Sequence, residues 1–312
     1  MTAAVRSAAH PTPPRPTTIV DAPRLSKKLG VDIVIASETL QYTGSFKFRA
    51  AYNVALNVKQ SHIIAASSGN FGQAIAFACS LFGKRSTVVM PSGAPKVKVN
   101  AVKEYGGEVD LVDVKKKGRL DRVRELAAEF PDAYIASPYD DDLVIDGNAS
   151  LGNELFALGL DLDFIVAPIG GGGLTSGIVN AVKKSRKKTK VIAAEPLLSN
   201  DAAQSFRAGH IVALPEESNT LADGARVLRI GDRNWEILQR GLDSVIEVSE
   251  DQIREGVRLL FSLANLKSEP TGALSIGAIL ANPDRFERKR VCCVISGGNA
   301  DPAVYADLIR GL

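Results

Sequence analysis

Short apolar runs alternate along most of this chain with longer stretches whose apolar residues recur at helical spacing. Segments 31–36, 62–66, 87–90, 109–112, 164–169, 191–194 and 291–295 are nearly continuous in Val, Ile and Ala, and read as buried strands. Between them, segments 72–82, 96–105, 120–129 and 252–265 place apolar residues three and four apart, which predicts helices packed by one face. The alternation predicts an α/β protein with mostly parallel sheet. In such sheets ligands bind beyond the carboxyl ends of strands, so the chemistry belongs in strand-to-helix loops. No repeat of fixed period is present.

Composition narrows this without changing it. With 312 residues, 45% of them hydrophobic and 23% charged, the chain is long enough for about two domains and needs no covalent staple. Cys79 stands alone and Cys292-Cys293 lie in an apolar run, so neither a disulfide framework nor metal-ligand spacing is indicated, and a reducing compartment is expected. Thirty-eight basic against 35 acidic residues leave a net charge of +3, too little to hold a nucleic acid unless concentrated. The dense runs, Lys115-Lys116-Lys117 and Lys183-Lys184-Ser185-Arg186-Lys187-Lys188, read as solvated surface, the second at a helix end where cations meet the negative pole of the dipole. No apolar run is long enough to span a membrane, and the proline-rich residues 1–18 lack the apolar core of a secretory signal. That opening stretch is expected to be a flexible tail, and the cytoplasm is the expected location.

Four loops carry candidate chemistry. Gly170-Gly171-Gly172-Gly173-Leu174 follows an apolar strand and opens a helix, where free N–H groups suit a phosphate. It matches neither G-x-G-x-x-G nor the P-loop, since Thr175 and Ser176 stand where the dinucleotide pattern needs glycine and Ile178, not lysine, follows Gly177. Ser67-Ser68-Gly69-Asn70, again between strand and helix, suits a carboxylate, and the Asn70 amide can bond a phenolate or carbonyl oxygen. Lys47, just past the turn Thr43-Gly44-Ser45, would be a Schiff-base nucleophile if burial lowered its pKa. Ser296-Gly297-Gly298-Asn299 ends the last strand and can offer a neutral hydrogen bond to a ligand ring. His10, His62 and His210 match no catalytic pattern and read as tail or surface positions.

In this order the four loops resemble the fold type II pyridoxal-phosphate enzymes, the threonine/serine dehydratase and serine racemase branch. Glu38-Thr39-Leu40-Gln41, Ala194-Glu195-Pro196, Leu221-Ala222-Asp223-Gly224 and Glu269-Pro270-Thr271-Gly272-Ala273 extend the resemblance over most of the chain. It implies a tryptophan synthase β-like fold of two three-layer αβα domains. A small mobile domain, 53–139, would be inserted into a large one built from 1–52 and 140–312. Lys47 would carry pyridoxal 5'-phosphate covalently and take the Cα proton. Gly170 to Gly173, with Leu174, would hold the phosphate, Asn70 would bond the ring O3′, and Ser296 would meet the pyridine nitrogen. Ser67, Ser68, Gly69 and Asn70 would take the substrate carboxylate, with Arg119 approaching when the small domain closes. Ser68 would face Lys47 across the cofactor, and Glu195, the Ser199 carbonyl and Asp201 would bind Mg²⁺.

The resemblance implies a dehydratase that converts L-threonine, L-serine or a related 3-hydroxy amino acid to a 2-keto acid and ammonia, with a serine racemase as the alternative. It further implies a homodimer and a small-molecule amino-acid substrate. Because the chain ends soon after Asn299, feedback inhibition through a C-terminal regulatory domain is not expected. Departures from the pattern are Phe71 in place of histidine, Ala50 in place of glycine, and Asp146-Gly147-Asn148-Ala149-Ser150 in place of Ala-Gly-Gln-Gly-Thr. An Asp146 facing the pocket would repel a dicarboxylic substrate.

Overall fold

The computed structural model describes residues 12–67 and 69–311. Among them are ten strands: β1 (Thr18–Asp21), β2 (Asp32–Ser37), β3 (His62–Ala66), β4 (Arg85–Pro91), β5 (Glu108–Val112), β6 (Tyr134–Ala136), β7 (Phe164–Pro168), β8 (Lys190–Pro196), β9 (Ser244–Val248) and β10 (Arg290–Ile295). They form a six-stranded sheet, order β1-β2-β10-β7-β8-β9, and a four-stranded sheet, order β5-β4-β3-β6. Every pairing is parallel except β1 with β2. The seven strands expected from apolar runs are all present. The three that sequence pattern does not single out are edge strands, short or half-exposed, whose one covered face leaves no apolar run.

Strand alternation explains the layering. In β2, Ile33 and Ile35 enter one apolar cluster while Val34 and Ala36 enter another on the opposite face. In the smaller sheet, Ile63 and Ala65 face one cluster and Ile64 the other. Both sheets are thus covered on both sides, as parallel sheets require. Each also reverses its strand order once, between β7 and β10 in the larger sheet and between β3 and β6 in the smaller. At such a reversal the helices on either side diverge and leave a crevice beyond the strand ends.

The flexible tail expected through residue 18 does not hold for the described part of that stretch; residues 1–11 lie outside the described residues. From Arg15 onward the chain is held. The Arg15 N–H donates to Gln41 Oε1 at 3.1 Å, Thr17 is buried, and Thr18 opens β1. The anchor is Arg49, on the helix Lys47–Asn57, whose guanidinium donates to Glu38 (2.7 Å), Glu154 (2.7 Å), Thr17 Oγ1 (2.8 Å) and the Arg15 carbonyl (3.1 Å). A buried cation needs this many acceptors to replace water, and the N-terminal segment supplies two of them.

The two lysine runs are exposed, and the second ends the helix Gly173–Ser185 as expected. His210 is exposed, whereas His62 is not a surface residue. It is buried, pairs with Thr87 Oγ1 at 2.9 Å and meets the Phe130 ring edge-on, and burial holds its pKa below the ordinary histidine value. The polar, exposed run Lys59-Gln60-Ser61 directly precedes it, so its local sequence reads as surface, and only its place at the start of an interior strand buries it. His10 lies outside the described residues. No helix among the described residues is long and apolar enough to cross a membrane.

Candidate active site

The loops that leave the four strands at the two reversals converge. From the larger sheet come the glycine loop after β7 and Ser296–Asn299 after β10; from the smaller come 67–70 after β3 and 137–140 after β6. Lys47 lies among them. Its Nζ donates to the Pro138 carbonyl at 2.5 Å and lies 5.7 Å from the Phe71 ring centre and 5.0 Å from that of Phe46. The Phe46 N–H donates to the Ser296 carbonyl at 2.9 Å, which ties the lysine turn to the end of β10.

Burial lowers the Lys47 pKa from 10.5 to about 8, opposed by the negative charge of Glu269. Its place at the first position of a helix acts in the same direction as burial, since the positive dipole end repels an ammonium.

The glycine loop is built for close approach. Gly172 has φ 100°, a left-handed conformation that favours glycine, and caps the helix Gly173–Ser185. A Cβ on Gly171 would lie 2.2 Å from the Tyr139 ring, and one on Gly173 would lie 2.8 Å from the Tyr139 carbonyl. Asn234 Nδ2 clamps the two segments by donating to both the Gly171 and Tyr139 carbonyls at 2.9 Å. Asp140 accepts from the Asp232 and Arg233 N–H groups, fixing the same strap to the start of another helix. Neither Pro138 nor Tyr139 is marked as functional by sequence pattern, and only the fold lays them between Lys47 and the glycine loop.

Asn70 begins the helix Asn70–Leu81. Its Nδ2 donates to Glu269 Oε1 at 2.8 Å and its Oδ1 accepts from Asn299 Nδ2 at 2.9 Å. Ser67 Oγ accepts from the Gly69 and Gly72 N–H groups at 3.3 and 3.0 Å, so it shapes the start of that helix. Ser68 lies outside the described residues. Ser296 is buried and its hydroxyl has no partner among the described residues, as is true of Thr43 and Ser45 on the lysine turn. Buried hydroxyls without partners are costly, and these three lie on the lysine turn and at the end of β10, which the Phe46–Ser296 hydrogen bond ties together.

Arg119 is not brought against the 67–70 loop. Its hydrogen bond is to Glu217 at 3.2 Å, and with Lys98 to Asp223 at 2.8 Å it forms an ion pair between the smaller-sheet segment and the 217–223 loop. Asp146 is exposed on the helix Asp142–Ala157, so it faces no enclosed pocket and cannot repel a substrate there. Asn148, further along the same stretch, is fully buried and its amide has no partner among the described residues.

The three residues expected to hold a metal come together in part. Glu195, at the end of β8, accepts from the Ala202 and Ala203 N–H groups at 2.9 and 2.8 Å. Asp201 is fully buried, and neither carboxylate oxygen makes a hydrogen bond of ordinary geometry among the described residues. Burial pushes its carboxyl up to about 7, with the nearby Asp201 and Ile230 N–H groups opposing. Glu195 is pushed well up by burial and by Asp201 itself. Ser199 is buried, with its hydroxyl turned to the Ala225 carbonyl at 3.4 Å. Among the described residues no group of three acidic, histidine or cysteine side chains could hold a metal.

A family profile described as "Pyridoxal-phosphate dependent enzyme" matches residues 11–297. Serine racemase of Arabidopsis thaliana is 34% identical over 294 residues, 91% of this chain and 88% of that protein. L-threo-3-hydroxyaspartate ammonia-lyase of Saccharomyces cerevisiae is 34% identical over 299 residues, 95% of this chain and 91% of that protein. Among solved structures, a threonine deaminase from T.th. superposes with a TM-score of 0.86 at 37% identity, covering 92% of each chain.

Proposed function

The chain belongs to the pyridoxal-phosphate-dependent enzyme family, and from that premise we propose that it is an ammonia-lyase acting on L-threonine, L-serine or a related 3-hydroxy amino acid. The reaction removes the Cα proton and the β-hydroxyl and releases a 2-keto acid and ammonia. The observation that carries this reading is Lys47, an amine with its pKa lowered to about 8 where four loops from strand ends meet.

The residues present fit pyridoxal phosphate. The glycine loop and the N–H groups opening its helix, Gly170 to Leu174, would hold the phosphate. Ser296 would give its unpaired hydroxyl to the ring nitrogen, and Asn70 its second N–H to the ring oxygen. When bound, the cofactor supplies an electron sink for the charge left at Cα. Lys47 carries the cofactor and, once free, accepts the Cα proton at Nζ. Near neutral pH an amine of pKa about 8 is basic enough to take the proton yet deprotonated in a useful fraction of molecules. Phe46 and Phe71 flank the amine and keep water from it. Ser67, Gly69 and the adjoining backbone N–H groups would bind the substrate carboxylate at the helix start, with Ser68 in the same loop.

Serine racemase activity is the second reading, favoured by the Arabidopsis relative and by Ser68, which would return a proton from the opposite face. Glu195, the Ser199 carbonyl and the buried carboxylate of Asp201 support a Mg²⁺ site in this proposal. The proposal also takes 53–139 to move as a unit against 1–52 and 140–312, Arg119 to exchange Glu217 for the substrate on closure, and the protein to be a cytoplasmic homodimer. The purified protein should take up pyridoxal phosphate with visible absorbance that Lys47→Ala loses. It should form keto acid from L-threonine or L-serine faster than D-serine from L-serine. A protein that takes up no cofactor overturns the proposal, and dominant D-serine formation replaces the lyase reading with the racemase.

A further inference from the structure

Asn70 can contribute to the site only if its amide presents the correct end. An asparagine side chain has nearly the same shape in either flip, so its neighbours must decide. The decision starts at a group that cannot flip. The Thr43 carbonyl accepts from Asn299 at 2.8 Å, which fixes that end of the Asn299 amide as nitrogen. The same nitrogen donates to Asn70 at 2.9 Å, which fixes that end of Asn70 as oxygen. Gln73 Nε2, a second donor, lies 3.4 Å from the same oxygen. The other end of Asn70 must then be nitrogen, and it meets the Glu269 carboxylate at 2.8 Å. A flipped Asn70 would set oxygen against a carboxylate and nitrogen against nitrogen.

Glu269 is itself held with little freedom. It precedes the helix Pro270–Ala281, its N–H donates to the Gly297 carbonyl at 3.0 Å, and a Cβ on Gly297 would come within 2.6 Å of its Oε1. The carboxylate therefore reaches Asn70 across the Ser296–Asn299 loop from a rigid base.

We propose that Glu269 is a positioning residue that acts through Asn70: with Asn299 it locks the amide so that the second Asn70 N–H, which has no acceptor among the described residues, is presented to the ring oxygen of the cofactor. This deepens the pyridoxal-phosphate reading and rests on it. Asn70 touches the ligand, whereas Glu269 and Asn299 do not.

The test is a double-mutant cycle read on cofactor binding rather than turnover. Dissociation constants for pyridoxal phosphate, and the absorbance maximum of the bound form, are measured for wild type, Asn70→Ala, Glu269→Ala, the double variant and Glu269→Gln. Glu269→Ala should weaken binding about tenfold, the worth of one ordinary hydrogen bond, and shift the maximum as Asn70→Ala does. The double variant should be no weaker than Asn70→Ala alone, because Glu269 has nothing left to position. Glu269→Gln keeps an acceptor oxygen in place and should restore binding to within about threefold of wild type. Full additivity of the two alanine effects overturns the proposal, as does a Gln variant as weak as the Ala variant, which would make charge the cause. If Glu269→Ala does not fold, Asn299→Ala takes its place in the cycle with the same expectations. Failure of wild type to bind pyridoxal phosphate overturns the functional reading itself, a result distinct from additivity in a wild type that binds.

Discussion

Lys47 should cost the cofactor-free protein stability, and the cost has a definite pH signature. Burial holds the folded-state pKa at about 8 against 10.5 for a free lysine, so at pH 7 the ammonium is disfavoured by folding. At about 1.4 kcal/mol per pH unit the difference corresponds to about 3 kcal/mol. The sign follows from linkage: the folded pKa is depressed, so the neutral side chain carries no penalty above 10.5, and the penalty grows as pH falls toward 8 and is complete below it. Lys47→Met keeps the length of the side chain and removes the charge. Urea unfolding of the two cofactor-free proteins should show the variant more stable at pH 7 by up to about 3 kcal/mol, shrinking by about pH 10.5 to the pH-independent contribution of the methionine packing. The same variant should lose both visible cofactor absorbance and keto acid formation. A stability difference that does not change between about pH 7 and 10.5 would show that the amine is not desolvated and would remove the argument for Lys47 as the base.

Asp201→Asn should stabilise the metal-free protein above about pH 7 and not below about pH 4. A carboxyl raised from 3.8 to about 7 gives stability that is complete below 3.8 and lost as pH rises through 7. The same change should abolish any rise in melting temperature on adding Mg²⁺, and a rise that persists refutes the metal site. Gly171→Ala forces a Cβ into the Tyr139 ring, so it should weaken pyridoxal phosphate binding at least about tenfold in a spectroscopic titration. Unchanged affinity would mean the Gly171–Tyr139 contact does not shape the proposed cofactor site. Arg49→Met leaves Glu38 buried without its partner and should cost about 3–5 kcal/mol in denaturant melts, while Arg49→Met with Glu38→Gln should recover part of it.

Much of this architecture is legible in the order of residues because the physics that sets it is local. A strand buried on both faces must be a continuous apolar run, so β2, β3, β4, β7, β8 and β10 announce themselves, and the edge strand β5 does so by its apolar composition alone. A loop that must approach a ligand with its backbone must lack side chains, so the run Gly170 to Gly173 is visible without a structure. Lys47, Asn70 and Ser296 stand beside such loops and share that visibility. The edge strands β1, β6 and β9 escape because half of each faces water, and His62 escapes because burial of a polar ring depends on a partner 25 residues away.

What only the tertiary structure decides is which groups share a space. Pro138 and Tyr139 carry no local mark, yet the strand reversal beside β3 lays them against Lys47 and the glycine loop. Asp146 and Arg119 look placed for substrate by position along the chain; a helix turn exposes the first, and an ion pair with Glu217 occupies the second. Glu269 is 199 residues from Asn70, and its role depends on a single 2.8 Å contact. Sequence pattern records the cost each residue meets in its own segment. A pKa, an amide flip or a shared ligand arises from distances across segments, and those exist only once the two sheets have folded against each other.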